Sequence, residues 1–379
     1  MQRNRARMIL AAGLGLGLVM MSVAQPPAAT PETMPSGSQS NSPGMKNAPQ
    51  PKYPTKVLDK GPSEWAKDIL DRDPGVSEAA IKMMLVFGPE GRRYGAKNLI
   101  VSLNKSDANC RAAAASVIGA FSGFDEPALQ REAVSRLTSA MGDPQVVVRL
   151  AAVNAISAIG PPATNSAIPV MCARLTDEPN YEIRRAAAVA LGRCAQSEKG
   201  PPERRAIVAL AKGLNDSSAL VRRDCVQSLI VLGPPTEPAD AALLKSMITK
   251  NALSDRDKLV SLWSRVCLMR MDPTAINDAN FEVIFQSLRG TEAEMCLQGA
   301  HAVGVIGSLA SKAVPDLIKL LDHKEPQVAA TAAWSLGQMG TAGNPALAKL
   351  QTLTTSKDED LAKIAKQAIE DIRNPKKDP

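Results

Sequence analysis

Few side chains in this chain could do chemistry, and their spacing narrows what that chemistry is. Histidine occurs twice, at His301 and His323. Two isolated imidazoles fall short of the converging ligands that a zinc site requires. Cysteine occurs six times, at Cys110, Cys172, Cys194, Cys225, Cys267 and Cys296. No two of them form a Cys-x-x-Cys pair, which removes the zinc-ribbon, thioredoxin-type and c-type haem readings. Each lies instead in a stretch of helical periodicity, in a slot that other such stretches fill with Ala, Ser or Val. The expectation is small buried thiols. Cys172 and Cys194 share one predicted hairpin, but at unequal distances from its turn, a poor geometry for a disulfide. Neither a Gly-x-Ser-x-Gly nucleophile elbow nor a Gly-x-x-x-x-Gly-Lys phosphate loop occurs. No catalytic, cofactor-binding or metal-ligating residue is assigned. The chain is expected not to be an enzyme and to need no cofactor.

One pattern remains suggestive: the arginine pairs Arg92-Arg93, Arg184-Arg185, Arg204-Arg205 and Arg222-Arg223. Paired guanidiniums can line a basic stripe for an acidic partner or a phosphate backbone. Acidic residues interleave with them throughout, which favours a structural role. The formal net charge is +7, of which Arg3, Arg5 and Arg7 supply three, leaving +4 on the remainder. That excess is too small to call for nucleic acid. An aromatic content of 3% also leaves little on which bases or sugars could stack.

What would position these residues is a helix pair repeated many times. In residues 141–160, Val148, Ala151, Ala152, Ala155, Ile156 and Ile159 recur at helical spacing and form one apolar stripe. Asp143-Pro144 is a start signal before it, and Gly160 with Pro161-Pro162 is a stop signal after it. Residues 128–141 form the preceding helix, with Ala133, Leu137 and Met141 inward. A hairpin this small cannot cover its own apolar face. The leucine-type residue closing the first helix recurs at Leu70, Leu103, Met141, Leu175, Leu214, Leu253, Leu288 and Leu321, at steps of 33 to 39 residues. Gly88, Gly160, Gly233, Gly307 and Gly340 fall on the same grid. Such a period means stacked helix pairs with one continuous core. Eight pairs are expected, with a partial ninth over residues 357–373, whose charged face suits a terminal cap.

Residues 1–24 read as a signal peptide: a basic start at Arg3, Arg5 and Arg7, an uncharged run, and the small residues of Ser22-Val23-Ala24. The run is short for a bilayer span, so cleavage after Ala24 is favoured over an uncleaved membrane anchor. Residues 25–60 are rich in Pro, Ser, Thr, Gly and Asn and too poor in apolar residues to offset their ordering entropy, which predicts a disordered linker. The solenoid is expected over residues 61–373, with Ser63 capping its first helix and Trp65 covering its exposed end. Residues 374–379 read as a polar tail.

Residues 313–340 resemble a bacterial HEAT-like repeat, of the type also seen in phycobilisome lyases. Ala313, Pro315 and Leu317 match the opening of that family's first helix, and residues 167–171 give a second copy. Ile183-Arg184-Arg185-Ala186-Ala187 through Leu191-Gly192 match its second helix. The resemblance spans about residues 61–373 and implies an all-α fold, an α–α superhelix that winds as a right-handed solenoid. It also implies an Asp in each intra-repeat turn tied to an Arg early in the second helix. Those pairs would be Asp143 with Arg149, Asp177 with Arg184, and Asp216 with Arg222. The pattern lapses where Asp255 meets Ser261, Gly290 meets Cys296 and His323 meets Ala329. Arg185 and Arg223 would then be solvated face residues. The His-Glu pairs of iron-binding HEAT-like enzymes do not occur here.

The expectation is therefore a non-catalytic scaffold, exported to the periplasm or secreted, that binds a protein partner along its concave face. It would have no membrane span after signal cleavage, and no nucleic-acid partner is favoured. A lyase-like or chaperone-like HEAT enzyme is the alternative, resting on fold analogy alone. A weaker alternative is binding of nucleic acid or an acidic ligand through the arginine pairs.

Overall fold

A computed structural model describes residues 53–197 and 200–375. The signal-peptide expectation for residues 1–24, the linker up to residue 52 and the tail from residue 376 fall outside the described residues. The described chain forms two compact units, residues 53–167 and residues 168–375. The first holds three helix pairs: α1 (Pro62–Asp68) with α2 (Pro74–Val86), α3 (Pro89–Ser102) with α4 (Ala108–Ala120), and α5 (Pro127–Ala140) with α6 (Val146–Ile159). The second holds six. They are α7 (Ile168–Asp177) with α8 (Tyr181–Cys194), α9 (Arg204–Gly213) with α10 (Ala219–Leu232), and α11 (Pro238–Ser254) with α12 (Lys258–Met271). After these come α13 (Asp278–Leu288) with α14 (Ala293–Ile306), α15 (Val314–Leu320) with α16 (Pro326–Gln338), and α17 (Leu347–Leu353) with α18 (Glu359–Arg373). The fold is an all-α solenoid of helix pairs. The ninth pair is complete, because the short α17 supplies the half that the sequence pattern did not reveal.

Local chemistry explains where these helices start and stop. Asp73, Asp107, Asn180, Asp257, Asn277 and Asp358 accept hydrogen bonds from first-turn backbone N–H groups of α2, α4, α8, α12, α13 and α18. The five grid glycines all adopt positive φ, from +55° at Gly88 to +81° at Gly233. A side chain is disfavoured in that conformation, which is why glycine marks the junctions. Two expected caps differ. Gly61, not Ser63, precedes α1, and its N–H donates to Glu64 at 2.8 Å. Gln145 precedes α6, with Asp143 accepting from the Gln145 N–H at 2.8 Å and Pro144 lying ahead of the helix.

The even-numbered helices pack against their own odd partner and against the even helices beside them, so their apolar faces are wider than one stripe. In α6, Val153 and Ser157 are buried along with Val148, Ala152, Ala155 and Ile156. Small residues permit this close stacking: a Cβ on Gly119 of α4 would sit 2.8 Å from the Ala155 Cα of α6. The first-helix closers are mostly buried, but Leu70 is exposed and Leu253 is 71% exposed, with Ile69 and Ala252 taking their inward slots. Trp65 is itself covered. Its indole N–H donates to the Val57 carbonyl at 3.1 Å and the Lys60 ammonium lies 5.2 Å from its ring, so residues 57–60 form a turn over the start of the stack.

The Asp–Arg pairs exist but run in a different register. Each arginine donates its Nη1 to carbonyls in its own turn: Arg149 to Asp143 and Pro144, Arg184 to Glu178 and Pro179, Arg222 to Asp216 and Ser217. For Arg184 and Arg222 the carboxylate gripped belongs to the next repeat. Arg184 holds Asp216 through two bonds of 2.7 and 2.9 Å, and Arg222 holds Asp255 through two of 2.7 Å. In the first unit Arg111 holds Asp143 at 2.8 and 2.9 Å. Asp255 is thus a rung of the ladder and not a lapse. Arg111 was hidden because its own turn carries Lys105, and carbonyls, not a carboxylate, serve it there. In the turn before α8 the acid bonded to the backbone is Glu178, not Asp177, accepting from the Asn180 N–H at 3.3 Å. Burial alone would raise the Asp143, Asp216 and Asp255 carboxyls, but the arginine and backbone hydrogen bonds outweigh it and hold each below its ordinary range.

Candidate partner-binding face

In the second unit a chain of polar contacts crosses the even-numbered helices on the side away from their odd partners. Arg185 of α8 donates its Nε to the Asp224 carboxylate of α10 at 2.8 Å. Beside Asp224, Arg223 reaches past α12 to Glu294 of α14, with 3.7 Å between Nη1 and the carboxylate. Glu294 accepts from Gln298 at 3.1 Å, and Gln298 accepts from the Trp263 indole N–H of α12 at 2.9 Å. Trp263 meets His301 of α14 edge-on at 5.1 Å between centroids, and His301 meets Trp334 of α16 at 5.3 Å. Side chains two repeats apart can touch only where the face between them curves inward, given helix layers about 8–10 Å apart. This face is therefore concave across α10, α12 and α14.

Its electrostatics follow from burial. Arg185 and Arg223 keep only 17% and 16% of their side-chain surface, so they are not the solvated residues expected from the sequence. The buried Asp224 carboxylate, raised by desolvation and only partly held down by Arg185 and the charge of Arg223, anchors the Arg185 guanidinium. His301 is buried with its Nε2 lacking a hydrogen-bond partner, and desolvation lowers its pKa to about 4. It is a neutral packing residue between two indoles.

The other sequence candidates are dispersed. His323 is a turn residue whose Nδ1 accepts from the Glu325 N–H at 3.1 Å. All six cysteines are free thiols, five of them buried and Cys172 half-buried, which agrees with the small-residue reading. Burial pushes Cys172 up to about 11 and Cys267 up to about 12. Arg92 bonds Gly123 and Asp125, while Arg93 stands over Tyr94. Arg204 pairs with Asp240, and Arg205 lines an open cleft of about 490 Å³ with Cys172, Val208 and Lys212. The four arginine pairs thus serve separate local partners. Among the described residues no group of three or more His, Cys, Asp or Glu converges as metal ligands, and no helix is long and apolar enough to cross a membrane. The Arg185–Asp224 and Arg223–Glu294 contacts left no local signal, since nothing near either acid in sequence marks a partner on another repeat.

The repeated pair, its small-residue contacts and its Asp–Arg rungs have a counterpart among known families. A family profile of HEAT repeats matches residues 96–192, 168–262 and 297–370, more than half of the chain. This chain belongs to the HEAT-repeat family. Between the second and third matches lie residues 263–296, which take in most of α12 and all of α13. Among solved structures, the chain is similar to the crystal structure of an engineered protein from the Northeast Structural Genomics Consortium, at 20% identity and a TM-score of 0.45, over 83% of this chain and 89% of that one. No curated protein matches the chain in sequence. HEAT repeats generally serve as protein-interaction scaffolds.

Proposed function

We propose that this HEAT-repeat protein is a non-catalytic scaffold of the cell envelope or extracellular space that holds a protein partner along the inner face of its even-numbered helices. The observation that carries the reading is the inward curve across α10, α12 and α14, where Arg223 meets Glu294. A surface of that form accepts an extended or helical segment with side chains from several repeats at once. Export rests on residues 1–24, where a basic start, an uncharged run and a small-residue cleavage site follow in order.

Site-specific photo-crosslinking tests the binding face. A crosslinker at Gln227 or Thr331, on the inner face, should capture one protein in defined stoichiometry, and a crosslinker at Leu243 or Lys250, on odd-numbered α11, should not. Equal capture from both faces, or none from the inner one, overturns the face assignment. Fractionation with N-terminal sequencing tests the compartment: a chain beginning at Gln25 outside the cytoplasm is expected, and one retaining Met1 in the cytoplasm refutes export.

A further inference from the structure

The inner face of the second unit carries two guanidiniums that its fold holds ready and only partly uses. Arg185 and Arg223 stand on adjacent even helices, α8 and α10; the buried Asp224 bonds Arg185 at 2.8 Å and is next to Arg223 in sequence. Asp224 fixes Arg185 with one short bond and does not bond Arg223, and each guanidinium carries several N–H donors. The carboxylate at Arg223 comes from Glu294, across the concavity. That contact is a single one of 3.7 Å, and the Glu294 side chain is 60% exposed. A long, exposed contact of this kind is worth little. It nevertheless shows which chemistry fits the position: a carboxylate arriving from the open side of the groove.

We infer that Arg185 and Arg223 are a receptor for the carboxylates of an acidic protein segment lying along the even-numbered helices, and that Glu294 occupies Arg223 until such a segment displaces it. The inference rests on the proposed scaffold function and names the chemistry of its partner. Carboxylate is the group that the chain itself places at Arg223, and the paired guanidiniums match carboxyl oxygens in charge and geometry. Glu294 is then an internal competitor. A competitor has a distinctive signature, because removing it strengthens binding.

The test is equilibrium binding of a fluorescein-labelled Glu-rich peptide to the full chain by anisotropy. Glu294→Gln, at an exposed position, should tighten binding, by up to about fivefold for a contact of this class. Arg223→Gln should weaken it by about tenfold, with a reduced dependence on salt. Circular dichroism of both variants must match the parent. Unchanged or weaker peptide binding by Glu294→Gln overturns the inference. So does binding of polyphosphate or single-stranded DNA through Arg223 as tight as that of the peptide, which assigns the site to phosphate. If the peptide binds neither the parent nor Glu294→Gln while a crosslinker at Gln227 still captures a protein, the acidic receptor falls and the scaffold function stands.

Discussion

Removing one rung of the Asp–Arg ladder should unfasten two neighbouring repeats. The rung at Arg222 and Asp255 is the best defined: two bonds of 2.7 Å join residues 33 apart in sequence, with side chains only 16% and 5% exposed. Asp255→Asn keeps the shape of the side chain and an oxygen for the Asp257 N–H, bonded at 2.9 Å, so it removes mainly the charge. Breaking a buried pair from one side costs about 3–5 kcal/mol. Arg222 retains the Asp216 and Ser217 carbonyls and some water, which lowers the expectation to about 2–3 kcal/mol. A cycle with Arg222→Met should return a coupling of about 1–2 kcal/mol. A repeat array opens in segments, so the assay is hydrogen exchange read separately over α10 and α12. The effect also has a pH signature. The folded Asp255 carboxyl lies below its unfolded value, so its contribution is present above about pH 4 and is lost as pH falls through the folded value. The gap between parent and Asp255→Asn should therefore be full at pH 7 and shrink in acid. A gap under about 0.5 kcal/mol at pH 7, or one that ignores pH, would refute the ladder as a source of stability.

Three further outcomes follow from burial and close packing. Gly119→Val should destabilise the first unit by about 2–3 kcal/mol in thermal or urea unfolding, because its side chain meets the Ala155 backbone of α6. His301 has a folded pKa of about 4, below its unfolded value, so the unfolded chain binds more protons as pH drops from about 6.5 to 4 and stability falls across that window. His301→Leu should remove up to about 3 kcal/mol of that fall, and an unchanged pH profile would contradict it. Under native conditions a thiol reagent should label only the half-buried Cys172, slowly, and faster with rising pH up to about 11. Rapid labelling of the buried Cys225 or Cys267 would show an open core.

The sequence by itself determined what depends on near neighbours. Apolar spacing specified helices, the grid glycines specified the left-handed junctions, and cysteines in small-residue slots specified buried thiols, because each of these is settled within a turn or two of chain. The family pattern added that Asp and Arg would pair. It could not say with which repeat, because the turn carbonyls fill the arginine from its own side and leave the carboxylate role to the next turn in the stack. Leu253 shows the same limit on a smaller scale: it keeps the period but points outward, since the extended α11 turns Ala252 inward. Only the tertiary structure brought Arg185 to Asp224 and Arg223 to Glu294. Those partners lie on different repeats, and the inward curve that joins them comes from how successive helices pack, which no single repeat contains.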